Sequence, residues 1–110
     1  MKGPSIDHNI IEIFNLDARI LRTYESIHPF IDRFIHKMKL KVLKSTHHNF
    51  RPYGVTIVYI LSSSHLVVHT WPENNCLHMD ILQCSKRKEY ESMRSIIKGI
   101  FSGKIHIWRA

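Results

Sequence analysis

The stretch FRPYGVTIVYILSSSHLVVHTWPE, residues 50–73, decides the fold. Residues 54–61 are rich in β-branched and aromatic side chains, as a strand requires. The triple serine Ser62, Ser63 and Ser64 supplies turn chemistry, and Leu66, Val67 and Val68 return as a second strand that Pro72 ends. Strands joined by so short a turn pair antiparallel. The hairpin also carries a further hydroxyl, Thr56, and two imidazoles, His65 and His69. A thiol, Cys84, follows on what reads as the next strand. Hydroxyl, imidazole and thiol are the groups of nucleophilic and acid–base chemistry, so the stretch reads as a site.

Outward from the hairpin, Ile10, Ile11, Ile13 and Phe14 suit a first strand bounded by Asn15 and Asp17. Over residues 18–38 the apolar positions Ile20, Leu21, Tyr24, Ile27, Ile31, Phe34, Ile35 and Met38 recur at helical spacing. Pro29 predicts a kink or restart near His28. Residues 39–46 read as a second strand and 77–82 as a fifth. Tyr90, Met93, Ile96, Ile97 and Ile100 give a second amphipathic helix, closed by Ser102 and Gly103 where an αL cap belongs. Residues 105–108 form a last short strand. The order β-α-β-β-β-β-α-β predicts an α+β fold, a two-layer α/β sandwich. Its sheet is mainly antiparallel, with two helices on one face and the other face open to a ligand or a second subunit.

A chain of 110 residues suits one domain spanning 1–110. With 44% apolar and 23% charged residues it falls in the globular class and not the disordered one. The formal charge of +7 would suit nucleic acid, but its distribution argues for solvated surface instead. Lys37, Lys39 and Lys41 alternate as a solvated strand edge would, and Lys86, Arg87 and Lys88 form a short run before the second helix. No apolar run approaches the roughly 18 residues of a membrane span, and residues 1–5 begin no signal-peptide core. A cytoplasmic protein is expected, and two cysteines in a reducing compartment predict no disulfide scaffold. His65 and His69 share strand parity and could converge with His78, His47 or His48. No cysteine or carboxylate follows zinc spacing, so no metal is expected. Taken singly, His69 is a hydrogen-bonded strand histidine, Cys84 a small hydrophobe, Phe50 a core residue and Glu73 a solvated turn carboxylate. Only their joint order lifts them above that.

That order is Phe50-x-Pro52-Tyr53-Gly54-Val55-Thr56, then Ser64-His65-Leu66-x-x-His69-Thr70-Trp71-Pro72-Glu73, then Asp80-x-x-x-Cys84. It resembles the short prokaryotic S-adenosylmethionine decarboxylase proenzymes, and the similarity extends upstream through Asp17, Glu12 and His8. The resemblance implies self-cleavage between Ser63 and Ser64, giving a β chain of residues 1–63 and an α chain of residues 64–110. It implies a covalent pyruvoyl cofactor generated from Ser64, which forms a Schiff base with S-adenosylmethionine and supports its decarboxylation for spermidine synthesis. It further implies Thr56 as the processing hydroxyl, His69 as the processing base and Cys84 as the proton donor in decarboxylation. Phe50 would stack adenine and Glu73 would bind the ribose hydroxyls. A homodimer of processed αβ units is expected.

The chain departs from the family pattern at three positions. Ser63 stands where many members have glutamate, Ser85 where glycine commonly follows the cysteine, and Thr56 where serine is frequent. Two other readings share the fold. One is a pyruvoyl-dependent arginine or ornithine decarboxylase, against which the nucleoside-binding pair Phe50 and Glu73 speaks. The other is an uncleaved homologue acting as a basic binding or assembly protein.

Overall fold

Six strands form one antiparallel sheet with the order β2-β3-β4-β5-β1-β6; alternating apolar residues mark every strand but β2, which is exposed throughout. The strands are β1 (Asp7–Phe14), β2 (Val42–Asn49), β3 (Val55–Leu61), β4 (Ser64–Trp71), β5 (Cys76–Gln83) and β6 (Lys104–Arg109). The helices are α1 (Ala18–Leu21), α2 (Tyr24–Lys37) and α3 (Tyr90–Ile100). The structure, a computed structural model, describes residue 3, residues 6–84 and residues 90–110. Ser85 and the run Lys86, Arg87 and Lys88 lie outside the described residues.

One face of the sheet is the core. Ile11 and Ile13 on β1, Val55, Ile57, Tyr59 and Leu61 on β3, Leu66 and Val68 on β4, and Leu77, Met79 and Ile81 on β5 are all buried there. Ile27, Ile31, Phe34 and Ile35 of α2, with Met93 and Ile97 of α3, close over them. That is the expected two-layer architecture. Thr70 is one of two buried polar residues there among those described, with Asn9: its hydroxyl accepts from Val55 N at 3.0 Å and donates to Leu21 O at 2.7 Å. With both roles of the hydroxyl satisfied, its burial carries little penalty.

Four local details differ from the sequence reading. The long helix breaks at Arg22 and Thr23, not near His28. Thr23 caps α2 by accepting from Ser26 N, and Ser26 Oγ accepts in return from Thr23 N, so the box restarts the helix six residues before Pro29. Pro29 stays inside α2 on its exposed side, and the carbonyl it leaves without a donor belongs to the equally exposed Glu25. The lysine alternation belongs to a helix end and not to a strand. Lys39 sits at φ 58° beyond α2, with Lys39 N donating to His36 O and Leu40 N to Ile35 O, a Schellman closure. The second strand therefore begins at Val42, three residues later than expected.

Gly103 is not a left-handed cap either; among the described glycines only Gly54 has positive φ. Gly103 is required by proximity: a Cβ there would lie 2.2 Å from Phe14 O and 2.8 Å from Ile13 Cγ2. Gly99, in the last turn of α3, has nothing within 4 Å of the place a methyl group would occupy. Gly103→Ala should therefore destabilise by about 1–3 kcal/mol, whereas Gly99→Ala should stabilise by up to about 1 kcal/mol. Urea unfolding midpoints that shift in opposite directions would bear this out; a common direction would not.

Candidate active site

The hairpin turn is built by Ser62 and Ser63, with Leu61 paired to Ser64. Ser63 takes φ 67°, a left-handed conformation uncommon for a residue with a Cβ, on the residue that precedes the expected cleavage point. Ser64 is the first residue of β4 and shares the parity of buried Leu66, Val68 and Thr70, so it faces the helical layer. The register His65↔Leu82 sets Ser64 beside the end of β5. There Ser62, Ser64, Gln83 and Cys84 line a hollow of about 200 Å³ with Lys39, Leu40, Lys41 and Leu61. Serine hydroxyl and free, exposed thiol are thus brought together, with two lysines on the rim.

The other expected residues form a second cluster on the open face. Thr56 and His69 are cross-strand partners, and Thr56 Oγ1 lies 2.6 Å from His69 Nδ1. Phe50 sits with its ring centroid 5.7 Å from the His69 ring, and the Trp71 ring lies 4.1 Å from it. Glu73 is exposed in a short 3₁₀ turn, Pro72–Asn74, just beyond Trp71. A hollow of about 330 Å³, lined by Glu12, Phe14, Trp71, Asn74 and Cys76, opens beside this cluster.

The two clusters do not meet within one chain. Ser64 and His69 are five residues apart on one extended strand, about 16 Å at roughly 3.3 Å per residue. An odd separation also puts their side chains on opposite faces of the sheet. A sequence reading that groups them in one turn-and-strand unit misses this.

It names His78 only as a residue that could converge on a metal, and Trp71 only as part of the motif. His78 is the β5 partner of His69 and lies 3.3 Å from Glu12 Oε2 through Nδ1. Burial, first, and the neighbouring His78, second, hold the His69 imidazole below its ordinary 6.5, while Glu73 pulls weakly the other way. Alternation along β5 puts His78 on the open face, and strand pairing then completes the row His48, Thr56, His69, His78 and Glu12.

The chain is similar to known proteins in sequence and in fold. The family model described as S-adenosylmethionine decarboxylase matches residues 7–109. An S-adenosylmethionine decarboxylase proenzyme of Picrophilus torridus is 35% identical over 80 residues, 73% of this chain and 62% of that protein. The chain thus spans about three fifths of that relative's length. Proenzymes of the same name from Fervidobacterium nodosum and Thermotoga maritima are 31% and 27% identical, each over 91% of this chain and over 74% and 78% of their own lengths. The crystal structure of the adenosylmethionine decarboxylase from Aquifex aeolicus VF5 superposes with a TM-score of 0.82, covering 99% of this chain and 91% of that one, at 22% identity. At that identity the likeness speaks for the fold.

The electrostatics of His69 can be tested directly. An NMR titration should place its midpoint below 6.5. His78→Gln should raise that midpoint and Glu73→Gln should lower it further. A wild-type midpoint at or above 6.5 would contradict the assigned causes.

Proposed function

The chain belongs to the S-adenosylmethionine decarboxylase family, and on that premise we propose that it is a self-processing decarboxylase of S-adenosylmethionine, supplying an aminopropyl donor for spermidine synthesis. The observation that carries this reading is the hollow shared by Ser64 and Cys84, entered from a turn whose Ser63 is already in a left-handed conformation. Processing begins when Ser64 Oγ attacks the Ser63 carbonyl carbon. The peptide C–N bond breaks, leaving Ser63 esterified to Ser64 and the Ser64 nitrogen as a free amine. Loss of the Ser64 α-proton then expels the Ser63 carboxylate. The remaining enamine tautomerises, takes up water and releases ammonia, leaving a keto group at residue 64. Lys39 and Lys41 on the rim favour the new carboxylate.

The Thr56–His69 pair suits both proton-handling steps. With the proton on Nδ1, His69 donates to Thr56 Oγ1, leaving the Thr56 hydroxyl hydrogen free to donate to an oxyanion at Ser63. His69 Nε2 then carries the lone pair that accepts the α-proton, and its depressed basicity keeps it neutral near pH 7. Within one chain this pair cannot reach Ser64, so the reading includes a homodimer in which Thr56 and His69 of one copy serve Ser64 of the other. Ser64 lines a hollow at the end of the sheet, where His69 of a second copy would enter, and exposed Phe50, Ile60, Trp71 and Trp108 offer apolar surface for the contact.

A pyruvoyl group at residue 64 would supply an electron-withdrawing carbonyl to hold the substrate amine and an electron sink for decarboxylation. The residues around Ser64 fit that group. Cys84 would return a proton within the same hollow. Phe50 offers a half-exposed ring to adenine and Glu73 a solvent-facing carboxylate to the ribose hydroxyls. Because the chain carries +7 overall, a sulfonium substrate depends on local groups, and Glu12, Glu73 and the Trp71 ring provide them. Both cysteines are free, which favours a reducing compartment such as the cytoplasm.

Intact mass of purified protein should show chains of residues 1–63 and 64–110, the latter gaining hydrogen on borohydride treatment. Ser64→Ala should remain whole. A wild-type chain still whole after prolonged incubation would defeat the proposal. Composite sites predict a further result. His69→Ala alone should slow cleavage by about 10²-fold or more, yet co-expressed with Ser64→Ala its chains should be cut. Absence of rescue in demonstrated heterodimers would rule out action between copies.

A further inference from the structure

The open face holds a cluster that the processing chemistry does not use. His8 Nε2 on β1 lies 2.6 Å from Asp80 Oδ1 on β5, and His65 Nε2 on β4 lies 3.5 Å from the same oxygen. The two imidazoles meet edge to face with centroids 6.3 Å apart. One ligating atom from each residue lies within 4.8 Å of the other two. Register accounts for the convergence. His65, Leu82 and His8 form one row across three strands, and Val67, Asp80 and Ile10 form the next, so Asp80 reaches diagonally between the imidazoles.

We propose that His8, His65 and Asp80 bind a divalent first-row transition ion of the zinc class. Two imidazole nitrogens and one carboxylate oxygen are a borderline donor set, unlike the all-oxygen shells of calcium and magnesium. Zinc bonds of about 2.0–2.2 Å place tetrahedral neighbours about 3.3 Å apart, a spacing bracketed by the observed 2.6 and 3.5 Å. Each ligand stands on a strand paired on both sides, so little ordering remains to be done on binding. Ile10, Val67 and Leu82 are the row neighbours, which keeps competing cations away from the carboxylate. Side-chain exposures of 34%, 41% and 30% leave a fourth position open to water.

The placement suggests what such an ion does. His65 directly follows Ser64, so the ion ties the residue next to the scissile bond to β1 and β5. Once the chain is cut, β4 begins at a free end, and this tie opposes its fraying. That consequence rests on the proposed cleavage, whereas the site itself is complete in an uncut chain.

Full-length wild type and Ser64→Ala, both stripped with a chelator, should be titrated with Zn²⁺ against a chromophoric competitor. One ion per chain is expected in both, and Co²⁺ should give the visible absorption of a tetrahedral site. His8→Ala, His65→Ala and the isosteric Asp80→Asn should each weaken binding at least about tenfold. Circular dichroism should show these variants folded, and His47→Ala and His106→Ala should bind as wild type. No saturable binding, or binding that survives all three ligand substitutions, would mean that the cluster is a hydrogen-bonded Asp–His pair only. Binding to Ser64→Ala alongside an uncleaved wild type would uphold the site while removing the decarboxylase reading.

Discussion

Strand β4 governs the arrangement of this molecule. Its even-numbered residues, Leu66, Val68 and Thr70, are buried beneath the helices, and its odd-numbered residues, His65, Val67, His69 and Trp71, stand on the open face. A slip of one residue in its pairing would exchange those two sets and expose the core. The apolar positions therefore hold the chemical ones in register. The same constraint divides the chemistry, because Ser64 and His69 cannot share a face while β4 stays extended.

Thr70 secures this register from within. Its hydroxyl joins β4 to β3 at Val55 and to α1 at Leu21. Gly54 adds to the junction: its amide donates to Arg22 O at 2.8 Å, and at φ 113° it adopts a backbone that other residues rarely do. The loop from Phe50 to β3 is thereby tied to the chain segment between α1 and α2. Phe50 N also donates to Gly54 O at 2.7 Å, which places the ring near His69. Core bonds and site geometry share the same few residues.

Charge is apportioned by face as well. The helix side of the sheet carries almost no buried polar groups among the described residues, Asn9 and Thr70 excepted. The open face carries Glu12, Asp80 and six imidazoles, His8, His48, His65, His69, His78 and His106, in adjacent rows. Lys44 on β2 and Lys104 on β6 flank this face, so the two carboxylates lie towards its middle strands, within a chain that is cationic overall. Such a face can receive a cationic ligand that the whole-molecule field does not favour.

Much of this was legible in the residues. Period-two and helical spacings marked the strands and helices in their true order, and the long motif around Ser64 marked the family, because those signals are local. Local signals failed where two of them competed. Pro29 suggested the helix break, yet the Thr23–Ser26 box made it elsewhere; the alternating lysines suggested a strand, yet the turn after α2 claimed Lys39. Gly103 is essential through Phe14, a residue 89 positions away in sequence and invisible from its own neighbours.

By itself, then, the sequence determined which residue types sit on which side of each strand, since alternation is a property of the extended chain. Only the tertiary structure decided which strands stand side by side. The order β2-β3-β4-β5-β1-β6 sets His78 against His69 and gathers His8, His65 and Asp80 from three strands, contacts that no spacing along the chain encodes.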